Sequence, residues 1–210
     1  MEQGQIFIQV AADCKIKEKT KCKVVVIGDY GVGKTNLIKK FVEGKFSKDS
    51  IKNIGSDFLT QTYLINNEVI RVEFWDTGAE EKFKNLSASY YKGAKAAFIV
   101  YDVTNQSSFD NVNKWVKEVI GKTSTDIKIM IIGNKADLQD KKVITPAMMQ
   151  EKANSLSIMV TEMSALDGTN VNETFYQLLR ELYMSTISQK VKEGGLGISS
   201  GGSGVFCYYK

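Results

Sequence analysis

Gly28-Asp29-Tyr30-Gly31-Val32-Gly33-Lys34-Thr35 is the stretch that decides the fold of this 210-residue chain. An apolar run at 24–27 precedes it and an amphipathic segment at 37–42 follows, giving the strand, glycine-rich turn and helix that a phosphate-binding loop requires. Glycines let backbone N–H groups turn inward around an anion, and the helix start adds its unpaired N–H groups and positive dipole end. Lys34 then reaches the terminal phosphates, and the Thr35 hydroxyl ligates Mg²⁺. We expect a nucleotide-phosphate site here; a chance turn before a surface helix is disfavoured because eight residues match in the right context.

Composition and charge exclude several classes of function. The chain is 43% hydrophobic and 25% charged, as ordinary globular proteins are, and its length suffices for one α/β domain with a sizeable core. Its net charge of +4 is too small to indicate nucleic-acid binding, so we expect no nucleic-acid partner. The chain has no histidine, which removes the commonest general base and metal ligand from any mechanism.

The cysteines and the apolar segments indicate a cytosolic protein. The 3 cysteines form no CxxC pair, so neither a disulfide framework nor a zinc site is expected. No apolar run approaches the roughly 20 residues that span a bilayer. The apolar run at 6–12 lacks a basic leader, and we interpret it as part of an extension rather than as a signal peptide.

The chain divides into three segments. Residues 1–20 form an N-terminal extension that we expect to be disordered, with docking of its apolar patch on the domain as the alternative. Residues 21–186 form the folded domain. Residues 187–210 form a tail rich in glycine and serine, which we expect to be flexible because it cannot bury enough apolar surface to order itself.

Strands and helices alternate along the folded domain, which predicts an α/β fold with an open, mostly parallel sheet and helices on both faces. The segments 58–65 and 69–75 are joined at Asn66-Asn67. Asparagine tolerates left-handed φ, so these segments form a tight hairpin, the one antiparallel pair we expect. In such a sheet, ligands bind beyond the carboxyl ends of the strands.

A second motif, Asn134-Lys135-Ala136-Asp137, directly follows a predicted strand and selects the base. An aspartate here accepts two hydrogen bonds from guanine N1–H and N2–H₂, whereas adenine lacks this donor pair and leaves the carboxylate unpaired. We expect Asn134 to bind the base edge and brace the phosphate loop, and the Lys135 stem to cover the ring face. Downstream, a backbone N–H of Ser164-Ala165-Leu166 can meet guanine O6. An ordinary polar turn is the alternative for the second motif, and the two other motifs disfavour it.

Over residues 22–184 the chain resembles the Ras-like small GTPases, and among them the Rab family. The resemblance rests on the motifs above and on the Rab-typical runs Ile54-Gly55-Ser56-Asp57-Phe58, Trp75-Asp76-Thr77, Tyr90-Tyr91-Lys92-Gly93-Ala94 and Val100-Tyr101-Asp102-Val103-Thr104. It implies a P-loop NTPase fold, with a GTP-binding G domain over 21–186 whose sheet has six mostly parallel strands and one antiparallel edge hairpin. It also implies GTP, GDP and Mg²⁺ as ligands, GTP hydrolysis, and a role as a molecular switch in vesicle traffic.

The resemblance assigns further residues. Asp76 matches the aspartate that holds the hydration shell of Mg²⁺. Phe46 matches the aromatic residue that packs edge-on against guanine, with a plain loop anchor as the alternative. Exchange factors and effector proteins are expected to bind a switch surface that comprises Ile54, Phe58, Trp75 and Tyr90. For the three aromatic residues, a buried position in the core is the alternative.

The chain departs from the family at residues that sense and cleave the γ-phosphate, where catalysis depends on positioning and electrostatics. Asn53 replaces a threonine that ligates Mg²⁺, and its amide oxygen sits one atom further from the backbone. Ala79 occupies the position of a glycine whose N–H meets the γ-phosphate, a role that Gly78 takes only after a one-residue shift. Glu80 replaces the glutamine that orients the attacking water, and its carboxylate is repelled by the phosphate. Tyr30 places a ring over the γ-phosphate, where small residues are usual.

These departures lead to the hypothesis of a GTPase with slow intrinsic hydrolysis; neutral drift in a working GTPase is the alternative. A second hypothesis, from another class, is a scaffold that binds nucleotide and does not cycle. A third, an ATP-using P-loop kinase, is disfavoured by Asn134, Lys135 and Asp137.

The C-terminal run Cys207-Tyr208-Tyr209-Lys210 matches the outline of a prenylation box, although its aromatic inner residues and final lysine are atypical. A single lipid holds a membrane only weakly without a second signal, and the neighbouring tail carries no basic patch. An unmodified thiol is the alternative. The sequence thus predicts a cytosolic protein that attaches to the cytoplasmic face of an endomembrane if Cys207 is lipidated.

Overall fold

The computed structural model of the protein describes residues 8–10, 20–47, 58–66, 68–77, 88–124 and 126–192. Seven strands within these ranges form one sheet: β1 Ile8–Val10, β2 Thr20–Gly28, β3 Phe58–Ile65, β4 Glu68–Asp76, β5 Ala94–Asp102, β6 Lys128–Asn134 and β7 Met159–Glu162. Their order is β1-β3-β4-β2-β5-β6-β7. In this order, the neighbouring strands β4, β2, β5, β6 and β7 are all parallel to one another, whereas β3 runs antiparallel to both β4 and β1.

Helices connect the strands. Those in the described ranges are α1 Lys34–Glu43, α2 Ala88–Tyr91, α3 Gln106–Asp110, α4 Val112–Lys122, α5 Pro146–Leu156 and α6 Val171–Lys192, with a short 3-10 helix at Gln139–Lys141. The start of α5 shows how the sequence sets a boundary. Pro146 opens the helix, and the Thr145 hydroxyl accepts a hydrogen bond from the Met148 N–H at 3.3 Å.

Each face of the sheet carries its own hydrophobic core, because consecutive residues of a strand point to opposite faces. In β2, Val24 and Val26 belong to the first core, which is shared with α1 and α6. Val25 and Ile27 belong to the second core, which is shared with α4. The predicted α/β architecture with helices on both faces is therefore confirmed.

The amino-terminal edge of the sheet differs from the prediction. β1 lies in the segment for which we expect disorder, and it follows the alternative expectation, docking on the domain: it pairs with β3, placing Ile8 opposite Ile65 and Val10 opposite Tyr63. The sheet thus has seven strands rather than six, and a second antiparallel pair joins the predicted hairpin. Ile8 packs against the first core. Three residues are too short to display a strand period, so the pattern gave no sign of this strand.

The last helix is longer than the pattern predicts: the apolar spacing indicates a helix over 170–183, whereas α6 continues through Lys192, past the residue 186 at which we expect the folded domain to end. Its apolar face, which includes Phe175, Leu178 and Leu182, is buried in the first core. Beyond that face, the stretch 184–192 contains neither glycine nor proline. A helix already formed extends through such a stretch at low cost, because propagation adds one hydrogen bond for each residue fixed.

Candidate functional site

The candidate residues lie on loops at one edge of the sheet. The loops at 29–33, 103–105, 135–138 and 163–170 follow β2, β5, β6 and β7. Because these strands are parallel, their carboxyl ends face the same way, and the loops that follow them meet at that edge. The two sequence motifs are therefore neighbours in space although about a hundred residues separate them in the chain.

The loop between β2 and α1 has a backbone that requires glycine. Gly33 has a φ of 98°, and a Cβ there would lie 2.3 Å from Nδ2 of Asn134. Gly28 has a φ of 142°, and a Cβ there would lie 2.0 Å from the carbonyl oxygen of Val100. Gly33 caps α1 and makes no side-chain hydrogen bond to the first helical turn. A cradle of backbone N–H groups at a helix start fits an anion such as a phosphate tail.

Lys34 is held against the same loop. Its side chain is nearly buried, at 4% exposure, and its ammonium donates to the carbonyl oxygens of Gly28 at 3.1 Å and Asp29 at 2.7 Å. A buried ammonium requires nearby acceptors or anions. The charge of Lys34 is thus positioned where the sequence predicts the phosphates.

The two residues predicted to serve Mg²⁺ in this region are in contact. The Thr35 hydroxyl donates to Oδ2 of Asp76 at 2.5 Å. The adjacent Thr77 is fully buried, and its hydroxyl donates to the carbonyl oxygen of Val26 at 2.9 Å, which fixes the end of β4 beside β2. Hydroxyl and carboxylate oxygens are ligands that Mg²⁺ accepts. The residues present therefore fit a magnesium ion beside the phosphate loop.

Asn134 joins the phosphate loop to the predicted base-binding segments. Its side chain is 1% exposed; Nδ2 donates to the carbonyl oxygen of Val32 at 2.8 Å, and Oδ1 accepts from the N–H of Ala165 at 3.2 Å. One buried amide at the end of β6 thus links two loops. The Ala165 N–H is engaged with Asn134 in this structure, so its contact with guanine O6 stays a prediction.

Asp137 is oriented by Ser164. The Ser164 hydroxyl donates to Oδ1 of Asp137 at 2.6 Å and accepts from the N–H groups of Leu166 and Asp167, both at 3.2 Å. Ser164 is fully buried, whereas Asp137 is half-buried. A carboxylate held in this way is suited to accept two parallel N–H donors from the edge of a base.

Lys135 forms an ion pair that the sequence analysis did not identify. Its ammonium lies 2.5 Å from Oδ2 of Asp102, and Oδ1 of Asp102 accepts from the N–H and the hydroxyl of Thr104. Burial by itself raises the pKa of Asp102, but the hydrogen bonds from Lys135 and Thr104 outweigh it and hold the pKa below its ordinary value. Asp102 pairs with Asn134 in the register of β5 and β6. The signal in the sequence was limited to a polar residue at the end of each strand, and only the sheet order shows that these strand ends are neighbours.

The remaining candidates near the site differ in exposure. Tyr30 is 53% exposed on the phosphate loop, and Leu166 is 47% exposed. Phe46 packs against the first core, as its alternative interpretation has it, and its contact with guanine stays a prediction.

The three aromatic residues of the predicted switch surface lie together. The rings of Phe58 and Trp75 are stacked with centroids 5.1 Å apart, and Tyr90 meets Trp75 edge-on at 5.9 Å. The Lys23 ammonium lies 3.7 Å from the centroid of Trp75 and donates to the carbonyl oxygen of Ser89. Burial lowers the pKa of Lys23 from its ordinary value. Tyr90 is buried at 7% exposure and Phe58 is 36% exposed, so the cluster spans from core to surface.

The hydrogen bonds of the Asp29 side chain could not be predicted from the sequence. Its Oδ1 accepts from the indole N–H of Trp115 at 2.8 Å, and its Oδ2 accepts from Nδ2 of Asn111 at 2.7 Å. These donors come from α4 and the residue that precedes it. No sequence spacing relates Asp29 to α4, and only the packing of α4 beside β2 brings them together.

Several predicted residues lie outside the described ranges. They are the predicted Mg²⁺ and switch residues Asn53 and Ile54, the γ-phosphate residues Gly78, Ala79 and Glu80, and the predicted lipid acceptor Cys207. In the part of the chain that the structure describes, no helix combines the length and the apolar character needed to cross a bilayer.

Comparison with known proteins gives one consistent result. The family model of the Ras family matches residues 23–184. Ras-related protein RABA1b of Arabidopsis thaliana is 37% identical over 178 residues, which cover 85% of this chain and 82% of the plant protein. GTP-binding protein ypt3 of Schizosaccharomyces pombe is 38% identical over 176 residues, which cover 84% of this chain and 82% of the yeast protein. Ras-related protein Rab-11C of Dictyostelium discoideum is 40% identical over 168 residues, which cover 80% of this chain and 75% of that protein.

Proposed function

This chain belongs to the Ras family, as a Rab-like small GTPase of vesicle traffic, and we propose that it is a guanine-nucleotide switch with slow intrinsic hydrolysis. The observation that carries the nucleotide site is the Asn134 amide, which bonds to the phosphate loop at Val32 and to the predicted base segment at Ala165. A ligand that carries both a purine and a phosphate tail would bridge the same two places.

Different residues of the site would bind different parts of the ligand. The loop N–H groups and Lys34 would hold the phosphates, and Asp137, oriented by Ser164, would accept from guanine. Thr35 and Asp76 would hold Mg²⁺, directly or through its hydration shell, and the ion would neutralise part of the phosphate charge. A binding assay that compares guanine with adenine nucleotides also separates this proposal from a P-loop kinase, because a kinase would retain ATP.

Slow hydrolysis follows from the chemistry of the atypical residues. Glu80 stands where the resemblance implies a glutamine that orients water, and a carboxylate there would add negative charge beside the γ-phosphate. Ala79 narrows the backbone freedom that a glycine provides at its position. Asn53 offers an amide oxygen in place of a hydroxyl, and Tyr30 adds an exposed ring to the phosphate loop. Each change acts on the positioning of the reacting groups rather than on binding of the base.

Single-turnover hydrolysis with Mg²⁺·GTP tests the slow rate. We expect the double substitution Ala79→Gly and Glu80→Gln to raise the rate on the order of 100-fold, which is the loss that a misplacement of about 1 Å can cause. Glu81→Gln is the matched control, because it removes the same charge one residue away and should change the rate little. A native rate equal to that of ordinary Rab proteins, unaltered by the double substitution, would contradict the proposal.

A scaffold that binds nucleotide without cycling is the second candidate, and the same atypical residues favour it. The two are separated by the nucleotide content of purified protein and by partner binding with GDP against a GTP analogue. A switch binds effector proteins differently in the two states, through the surface that includes Phe58 and Trp75, whereas a scaffold binds them equally. Replacing Phe58 by Ala should weaken that binding, because Phe58 is the exposed member of the aromatic cluster.

Membrane attachment through Cys207 is a separate part of the proposal. A lipid on this cysteine would place the switch on an endomembrane. Partitioning of the Cys207→Ser variant between membrane and supernatant tests it; unchanged partitioning argues against an anchor at this residue.

A further inference from the structure

The Asp29 carboxylate is bound by two side-chain donors from one helical region. Trp115 Nε1 donates to Oδ1 at 2.8 Å, and Asn111 Nδ2 donates to Oδ2 at 2.7 Å. Each oxygen of the carboxylate thus has its own short hydrogen bond. Hydrogen bonds to an ionised acceptor are shorter and about twice as strong as those between neutral groups.

Asp29 is also the residue through which the phosphate loop contacts Lys34. Its main-chain oxygen accepts from the Lys34 ammonium at 2.7 Å. One residue therefore connects the predicted phosphate-binding lysine, through its backbone, to α4, through its side chain. A rotation of Asp29 would disturb both connections.

The α4 end of this connection is firmly anchored. Trp115 is 8% exposed, and Val112, Val116 and Val119 of the same helix are buried in the second core. Asn111 precedes α4 but makes no side-chain cap hydrogen bond to it. The Asn111 amide is therefore not needed to begin the helix, and its contact with Asp29 is a separate feature.

The contacts matter because Asp29 carries a negative charge on a loop built for anions. Bound to the indole and amide donors, the carboxylate is fixed against α4. Without them it could turn toward the phosphate tail, where like charges repel, and its backbone carbonyl could leave the Lys34 ammonium. Both changes weaken the hold on phosphate.

We propose that Asn111 and Trp115 are positioning residues, which hold Asp29 against α4 and thereby set the rate at which guanine nucleotide leaves the phosphate loop. The inference rests on the proposed function, since it concerns the same nucleotide site. It assigns to α4, a helix outside both sequence motifs, control over nucleotide retention.

The test is the dissociation rate of fluorescently labelled GDP from the full chain with Mg²⁺. Trp115→Phe keeps an aromatic ring in the core and removes the N–H donor together with the five-membered part of the indole, and we expect dissociation to become about tenfold faster, as for the loss of one hydrogen bond to a charged group. Asn111→Ala should give a similar increase, and it serves if the tryptophan variant does not fold.

Tyr91→Phe is the matched control. The Tyr91 hydroxyl donates to Oε1 of Glu118 on α4 at 3.0 Å, and its ring is buried in the same core. This change also removes an aromatic donor from a carboxylate, but away from the phosphate loop. It should leave the dissociation rate within about twofold of the native value, because sites without shared partners act independently.

A double-substitution cycle separates positioning from general loosening of the fold. With Asp29 replaced by Ala, adding Trp115→Phe should change the rate by less than about twofold, because the acceptor is already gone. A tenfold effect that persists in the Asp29→Ala background would overturn the inference, as would native-rate release by a folded Trp115→Phe protein. Failure of the unsubstituted protein to retain GDP would overturn the proposed function itself, and the inference with it.

Discussion

The phosphate end and the base end of the proposed nucleotide site are built from different parts of the chain. At the phosphate end the structure is set by backbone: Gly28 and Gly33 have left-handed φ, and a Cβ at either would meet neighbouring atoms within 2.3 Å. At the base end it is set by side chains, as in the bond from Ser164 to Asp137. A backbone cradle either forms or fails, whereas a side-chain network can be altered one hydrogen bond at a time. Substitutions should therefore abolish binding at the first end and adjust selectivity at the second.

Gly33→Ala is the most severe test of this difference. The added Cβ would lie 2.3 Å from Nδ2 of Asn134 at a φ of 98°, so the loop must rearrange. We expect GDP affinity to fall about 1,000-fold, which corresponds to about 4 kcal/mol. Titration calorimetry measures it.

Gly31→Ala is the control for this first prediction. Gly31 also has a positive φ, of 79°, but a Cβ there would meet no atom within 4 Å. Only the backbone strain of about 1–2 kcal/mol remains, so the loss should be about tenfold. Equal losses for the two alanine variants would mean that strain, not the contact with Asn134, decides the phosphate end.

Asn134→Ala tests whether the two ends act together. It leaves the buried carbonyl of Val32 and N–H of Ala165 without their partner, which costs about 1–3 kcal/mol for each group. We expect affinity for GDP and for inosine diphosphate to fall by the same factor, about 100-fold. The alanine variant of Thr145, the cap residue of α5, should lower unfolding stability by about 1 kcal/mol without changing either affinity. A loss confined to one nucleotide would show that the ends are separate.

Ser164→Ala should have a smaller and more selective effect. Without the hydroxyl, Asp137 loses a hydrogen bond of 2.6 Å and is less firmly oriented toward a base. We expect about tenfold weaker GDP binding, the usual effect of one charge-assisted hydrogen bond. The preference for GDP over inosine diphosphate, whose base lacks the 2-amino group, should shrink. Ser155→Ala is the control: it removes an exposed serine hydroxyl that donates to the carbonyl oxygen of Lys152, away from the site, and should change neither quantity.

Asp102→Asn should give the smallest effect. The pKa of Asp102 is lowered in the folded state, because hydrogen bonds from Lys135 and Thr104 outweigh the opposing effect of burial. The stability it contributes is therefore present above the ordinary aspartate pKa of about 3.9, and it is lost as the pH falls through the lower folded-state value. Lys135 is one-third exposed, so screening limits the loss to about 1 kcal/mol at neutral pH. Urea unfolding should show the difference between native and variant narrowing below about pH 3.9. A difference that stays constant into acid would contradict the ion-pair explanation.

The same contrast explains how much could be predicted from the sequence. The loop ending in Gly33 and Lys34 is local, so its glycines and its flanking strand and helix predict it without knowledge of the fold. That Asp137 lies at the same edge of the sheet as the loop could be predicted, because its motif follows a strand of a parallel sheet; its contact with the base stays a prediction. The α/β class followed from the alternation of strands and helices.

What could not be predicted depends on packing between distant segments. Trp115 has the spacing of an ordinary core residue of α4, and nothing in its neighbours indicates that its indole N–H binds Asp29. The partnership of Lys135 with Asp102 required knowing that β5 and β6 end side by side. β1 is too short to show a strand period, and only its pairing with β3 identifies it.

That short first strand has a consequence for how the molecule behaves in a crowded solution. β3 would otherwise be the outermost strand, and its peptide groups along 63–65 would face outward as a template for any extended chain. The chain supplies its own cover from its amino-terminal segment. The length of that segment therefore affects whether copies of the protein stay monomeric or associate through the edges of their sheets.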